Sequence, residues 1–321
     1  MRAYFLEPEI ERMLIAYNVC RRNLPCATWI LSCLALLMLA RTARADFPDR
    51  PAPQTLEGGI QFFDVSVSGD APGQSMRFWA YLPPGDHPAK SLPCVFVAPA
   101  GTPFITGQRL GIDDRPEHLP YVKAGFAVIA YELDGQRTVH TDAALLAAIS
   151  QFMAVHGGVD NAHTAVDYAL VRMPEIDPER LYAAGHSSAA NLALDVAAAD
   201  PRIKACCAYA PCPDLRKRLK PRFVASVSQK LPEFGAFIDS ASPSQHIDEL
   251  KAKPVMLFTA ADDKNIPTQS VRDFAADLRQ AGAAQVKLVT ADSGGHHQSM
   301  IDMGIPAGIE FLKELRATPN N

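Results

Sequence analysis

The sequence predicts an α/β fold, a doubly wound and mostly parallel sheet entered through an N-terminal antiparallel hairpin, and three observations carry that reading. Short apolar runs without polar alternation stand at 92–98 and 126–131, as in strands buried on both faces. Helical patterns alternate with strands afterwards, at 142–155, 161–172, 188–199, 268–281 and 305–316, and such alternation builds a parallel sheet covered by helices on both sides. Ahead of them, two alternating segments at 62–67 and 76–82 flank Gly69-Asp70-Ala71-Pro72-Gly73, which is a hairpin signature.

Taken in order, residues 1–45 read as an export signal. Arg21 and Arg22 precede an apolar run over 27–40, and Ala43-Arg44-Ala45 supplies the small-x-small pattern of a cleavage site, so the mature chain is expected to begin near Asp46. The run is shorter than the roughly 20 apolar residues that cross a bilayer. The segment ahead of Arg21 exceeds an ordinary n-region, which makes Met13 an alternative start. Arg21-Arg22 fits a plain basic n-region better than a twin-arginine signal, and an uncleaved anchor is the competing reading. The expected destination is the periplasm or the exterior, with no stable membrane association after cleavage.

Removing that segment takes six basic and three acidic residues from 31 and 35, leaving 25 against 32 and a net charge of −7. A chain of that sign is not built to hold nucleic acid. The remaining 276 residues suit one α/β domain with a full core. The stretch from Asp46 to Glu57 is Pro-rich and reads as an extended lead-in. Four cysteines follow it. Cys94 sits in an apolar strand and is expected to be inert. Cys206, Cys207 and Cys212 cluster after the strand that follows the central helix, where a bridge from Cys206 or Cys207 to Cys212 is open in an oxidising compartment. None has zinc spacing.

The chemistry concentrates at Arg180-Leu181-Tyr182-Ala183-Ala184-Gly185-His186-Ser187-Ser188-Ala189-Ala190-Asn191-Leu192, a buried strand, a sharp turn with a serine, and a helix. A serine hydroxyl is a poor nucleophile at neutral pH, so it must be lifted out of the sheet on a tight turn within reach of a base. Gly185 and Ala189 supply the small flanks of such a turn, with Ala189 where the pattern G-x-S-x-G has its second glycine. The competing role for Ser187 is as the N-cap of the helix. Ser188 is suited to give its backbone N–H to an oxyanion.

An acid and a histidine should follow in the order Ser, Asp, His, each just past a later strand. The run 254–260 ends in Asp262-Asp263, and 285–290 is followed by Asp292-Ser293-Gly294-Gly295-His296-His297. Asp262 is the expected acid with Asp263 its alternative, and His296 is the expected base with His297 its alternative. An adjacent His-His pair without a further ligand does not make a metal site. His186, His156 and His163 are read as structural or surface residues.

With these motifs the chain resembles the α/β-hydrolases of the dienelactone hydrolase and prolyl oligopeptidase type, from about residue 75 to 316. Glu175-Ile176-Asp177-Pro178-Glu179-Arg180-Leu181 resembles that family's approach to its nucleophile. Ser242-Pro243 and His246-Ile247 ahead of Leu250-Lys251-Ala252-Lys253-Pro254 resemble its lead into the acid-bearing strand. The resemblance implies a cap in the connection 212–253, whose Arg216, Lys217, Arg218, Lys220 and Arg222 also read as the basic face of a solvated helix. It implies a second oxyanion donor in Pro99-Ala100-Gly101-Thr102-Pro103, the amide of Gly101 or Thr102, where relatives carry His-Gly. The expected activity is hydrolysis of a small carboxylic ester through an acyl-enzyme, without a cofactor. The alternatives are a small serine peptidase of prolyl oligopeptidase type and a non-catalytic binding protein on the same fold.

Overall fold

The computed structural model describes residues 47–68, 75–137 and 139–317; the expected signal segment and the turn of the N-terminal hairpin lie outside them. Nine strands form one sheet in the order β1-β2-β3-β5-β4-β6-β7-β8-β9. The lead-in contributes β1 (Gln54–Thr55), which pairs antiparallel with β2 (Gln61–Ser68), and β2 pairs antiparallel with β3 (Ser75–Leu82) as the hairpin pattern predicts. Strand β3 pairs antiparallel with β5 (Ala127–Tyr131), and from β5 the sheet continues parallel through β4 (Leu92–Val97), β6 (Ile176–His186), β7 (Ile203–Tyr209), β8 (Val255–Ala260) and β9 (Val286–Ala291).

The apolar runs are continuous because both faces are covered. In β4 every residue is buried; Cys94 and Phe96 face one core cluster while Val95 and Val97 face the other, as the two-residue period of a strand requires. Strand β6 is longer than its apolar part, since it begins at Ile176 and runs through Pro178. Proline cannot donate to a ladder, and the pairing with β4 shifts register there, resuming at Cys94 opposite Leu181.

Helix α1 (Arg115–Lys123) has no counterpart in the sequence pattern, because Pro116 and Pro120 argue against a helix. Pro116 sits in the first turn, where its missing N–H costs nothing, and burial of Tyr121 and Val122 holds the rest. Helices α2 (Asp142–Ala154), α3 (Val159–Arg172), α4 (Ser188–Ala199), α9 (Thr268–Gln280) and α10 (Ile305–Ala317) fall where the 3.6-residue period puts them. Among the described residues no single helix is long and apolar enough to cross a membrane.

The connection between β7 and β8 folds into four short helices, α5 (Leu215–Arg218), α6 (Pro221–Ser228), α7 (Phe234–Ser240) and α8 (Ile247–Leu250). Leu215, Val227, Phe234, Ile238 and Leu250 are buried, and Phe237 meets Phe152 of α2 edge-on at 6.1 Å. The segment is therefore a layer with a packed apolar side, while the expected basic face, Arg216, Lys217, Arg218, Lys220 and Arg222, is exposed; Arg216 is tied to Asp239 and to the Gly235 carbonyl, and Lys217 to Asp214.

Cys206 and Cys207 lie inside β7, not after it, and their side chains enter opposite core clusters. No bridge to Cys212 forms: all four described cysteines are free and buried. Burial pushes the Cys207 thiol up to about 12 and that of Cys212 up to about 11, which leaves both as protonated core residues.

A reciprocal amide pair fastens α4 to the start of the β7–β8 connection, Asn191 Nδ2 donating to the Cys212 carbonyl (2.7 Å) and the Cys212 N–H donating to Asn191 Oδ1 (2.8 Å), both buried. Asn191→Leu strands two buried backbone groups at about 1–3 kcal/mol each. A lower urea midpoint with an unchanged slope checks this, and an unchanged midpoint contradicts it.

Candidate active site

In an open parallel sheet, ligands bind beyond the carboxyl ends of the strands where the winding reverses. Here the chain leaves β4 toward β5 on one side and returns to β6 on the other, so the reversal lies between β4 and β6. A cleft of about 520 Å³ opens in that region, and Ala100, Gly101 and Thr102 from the loop after β4, Ser187 from the end of β6, and His296 and His297 from the loop after β9 all line it.

Ser187 occupies the turn from β6 into α4 with φ 55° and ψ −116°, a left-handed backbone for a residue with a Cβ. Such strain costs about 1–3 kcal/mol and persists only where the surroundings over-determine it. They do so here: the Ser187 N–H donates to the Tyr209 carbonyl (2.8 Å), and its own carbonyl accepts from the N–H of Ala190 (3.0 Å). A Cβ added at Gly185 would lie 2.2 Å from the Ala189 carbonyl oxygen, so this glycine is obligatory. Although Ser187 stands at the N-cap position of α4, its side chain makes no capping hydrogen bond. The capping role is excluded and the hydroxyl is left for the cleft.

The carboxylate that meets His296 is Asp263, where the sequence reading placed Asp262. His296 Nδ1–H donates to Asp263 Oδ2 at 2.8 Å, and the Asp263 side chain is 1% exposed. Asp262 turns the other way and accepts the backbone N–H groups of Gly294 (3.2 Å) and Gly295 (2.8 Å), which brace the loop that carries His296. Strand β8 ends at Ala260, where the apolar run ends, so the strand boundary does not separate the two carboxylates; their partners do, His296 for Asp263 and the Gly294 and Gly295 amides for Asp262. Burial alone would raise the Asp263 pKa, but the hydrogen bond from His296 and those from the Ile266 and Asn265 amides outweigh it and hold the carboxyl below its ordinary value of 3.8. With Nδ1–H committed to Asp263, Nε2 of His296 is the nitrogen that can take a proton. His297 is exposed and pairs with no carboxylate among the described residues.

Across the cleft, Gly101 has φ 92° and Phe104 has φ 70°. The Thr102 N–H points at the elbow and donates to Ser188 Oγ (3.3 Å), and Thr102 Oγ1 accepts from the Phe104 N–H (3.2 Å). Helix α1 supplies Asp114 and Glu117 to the same cleft, next to Asp113, and the β7–β8 connection supplies Arg218 and Leu219. Desolvation pushes the Asp114 carboxyl up to about 6, against the Gly111 amide, which acts to lower it.

His186 is the site residue that the sequence reading assigned to structure or surface. It is buried, its ring centroid lies 4.6 Å from that of His296, and its Nε2–H donates to the His296 carbonyl (2.9 Å). Its position directly before Ser187 was the available signal. His156 and His163 do lie outside the cleft, against Asp160 and Asp200.

The prolyl oligopeptidase family model matches residues 117–308, more than half of the chain, from the helix bearing Glu117 to beyond the histidine loop. The chain belongs to the prolyl oligopeptidase family. With the family comes the α/β-hydrolase superfamily and a hydrolase activity. No curated protein matches the chain at a significant level. Solved structures share the fold at low identity. An acetyl xylan esterase from Paenibacillus sp. R4 is 18% identical with a TM-score of 0.61, over 87% of this chain and 93% of that one. A thermophilic esterase from Thermogutta terrifontis, Est2, is 18% identical at TM-score 0.55, over 85% and 98%. A puromycin-hydrolyzing peptidase of Mycobacterium tuberculosis is 22% identical at TM-score 0.60, over 79% of this chain and 39% of that one.

The depressed pKa of Asp263 is a stability statement. The contribution is present above 3.8 and is lost as pH falls through the lower value of the folded state. The stability gap between wild type and Asp263→Asn is therefore expected to be full at neutral pH and to narrow below pH 3.8. Urea melts at pH 7 and pH 3 measure it; a gap that stays constant or widens in acid contradicts it.

Proposed function

We propose that the protein is a serine esterase that cleaves a small carboxylic ester through an acyl-enzyme, with Ser187 as nucleophile, His296 as base and Asp263 as the acid. One observation carries the reading: a serine in a strained left-handed turn, making no cap, shares a cleft with an imidazole whose far nitrogen is held by a buried carboxylate. Ser187 Oγ attacks the ester carbonyl while His296 Nε2 takes its proton; the imidazolium so formed is stabilised by Asp263 and returns the proton to the departing alcohol. Water then repeats the sequence on the acyl-enzyme. The oxyanion is met by the Ser188 amide at the start of α4 and by the amide of Gly101 or Thr102. None of these steps calls for a cofactor.

An ester is favoured over a peptide by the shape of the likeness. The chain spans 93% of the acetyl xylan esterase but 39% of the puromycin-hydrolyzing peptidase and 35% of a dipeptidyl peptidase 4 from Porphyromonas gingivalis. We further propose export to the periplasm or the exterior with a mature N-terminus near Asp46; the compact unit begins at Phe47.

Ser187→Ala is expected to abolish both turnover of a short p-nitrophenyl ester and labelling by a fluorophosphonate, and retained turnover ends the proposal. Asp263→Asn should lower turnover by about 10⁴, as tautomer loss does in a well-studied triad. Asp262→Asn should cost far less, and the reverse order refutes the acid assignment. His296→Ala should be inactive where His297→Ala is not. N-terminal sequencing of exported protein tests the cleavage site, and a retained apolar segment contradicts it.

A further inference from the structure

We propose that the two neighbours of Ser187 are positioning residues that register both halves of the catalytic machinery on the elbow, His186 through the carbonyl of His296 and Ser188 through the amide of Thr102. The inference rests on the reading of Ser187 and His296 as nucleophile and base.

A carbonyl oxygen can only accept, so the 2.9 Å contact fixes the His186 proton on Nε2 and ties the backbone of the base itself to the end of β6. Nδ1 of the same ring faces Glu117 Oε1 at 3.7 Å, and the ring lies against His296 at a centroid distance of 4.6 Å. His186 is 4% exposed. Its imidazole is thus hydrogen-bonded to the base loop on one side and lies beside helix α1 on the other. Moving it moves the base relative to the nucleophile, not merely a packing contact.

Ser188 plays the matching part on the opposite side. It is the first residue of α4, where a backbone N–H has no intrahelical partner and is free to meet an oxyanion. Its Oγ accepts the Thr102 N–H at 3.3 Å. The loop it holds has left-handed residues at Gly101 and Phe104; it carries the Thr102 Oγ1 contact to the Phe104 amide and is anchored beyond that by the buried Phe104 and Ile105. A loop with two such turns in four residues has other arrangements available. The Ser188 hydroxyl keeps the Thr102 amide beside the Ser188 amide, so that two donors converge on one oxyanion. Because the Thr102 contact is long for a hydrogen bond, the amide can shift to a developing oxyanion at little cost. Sequence reasoning gave Ser188 only a backbone role; the side chain adds this second one.

The experiment compares His186→Ala, His186→Gln, Ser188→Ala and Ser188→Thr, with Ser187→Ala as reference. Gln keeps a donor near the place of Nε2 without the ring, and Thr keeps the hydroxyl. Each protein is titrated with a fluorophosphonate to count competent sites, then kcat and KM are measured on p-nitrophenyl acetate, together with the melting temperature. His186→Ala and Ser188→Ala are expected to lose about 10–100-fold in kcat per titrated site with little change in KM, the scale of a small misplacement of reacting groups. Gln and Thr should restore most of the loss. Equal kcat per titrated site in both alanine variants, whatever happens to the melting temperature, overturns the proposal, as does failure of both conservative variants to restore activity. Turnover by Ser187→Ala would instead remove the underlying triad reading, so the two failures are told apart.

Discussion

The contact between Gly185 and the Ala189 carbonyl is the constraint on which the rest of the site depends. A Cβ at residue 185 would stand 2.2 Å from that oxygen, so strand β6 and helix α4 can close this tightly only with glycine at the near corner. The tight closure forces Ser187 into its left-handed backbone and aims its hydroxyl out of the sheet instead of along the helix. Everything else is arranged around that point. Strand β4 delivers the loop of Gly101 and Thr102 on one flank, and β8 and β9 deliver Asp263 and His296 from the other.

Strain at a turn needs anchors, and the anchors here are backbone and amide hydrogen bonds to buried neighbours. Ser187 is pinned by the Tyr209 carbonyl, and α4 is pinned four residues later by the Asn191–Cys212 pair. Strands β6 and β7 and the layer of α5 to α8 therefore act as one support. That explains why the β7–β8 connection has a buried apolar side despite its run of basic residues: its Leu215, Phe234 and Ile238 complete the wall behind the elbow.

Much of this was legible in the sequence, because the strongest signals were periodic or short-range. Unbroken apolar runs gave the parallel strands, and the spacing Gly185-x-Ser187 on a strand–helix boundary gave the elbow. What escaped was decided by tertiary contact. Helix α1 holds two prolines and exists because Tyr121 and Val122 are buried. Asp262 and Asp263 are chemically identical, and only contacts distant in the chain tell them apart, His296 for Asp263 and the Gly294 and Gly295 amides for Asp262. Cys206 and Cys207 could be placed after a strand or within it until the ladder to Val255 and Met256 fixed them inside. His186 looked unremarkable beside the serine because its partners, the His296 carbonyl and Glu117, are distant in the chain.

The walls of the cleft carry a charge asymmetry of their own. Asp113, Asp114 and Glu117 face it, with Arg218 the one lysine or arginine among its described lining residues. On the proposed reading a neutral ester leaves a carboxylate behind, which places a negative charge among negative neighbours. Like charges at short range in a partly desolvated space repel appreciably. A cleft so lined favours a neutral reactant over the acid that the proposed reaction would make of it, and the repulsion comes from Glu117 of α1 and from Asp113 and Asp114 just ahead of that helix.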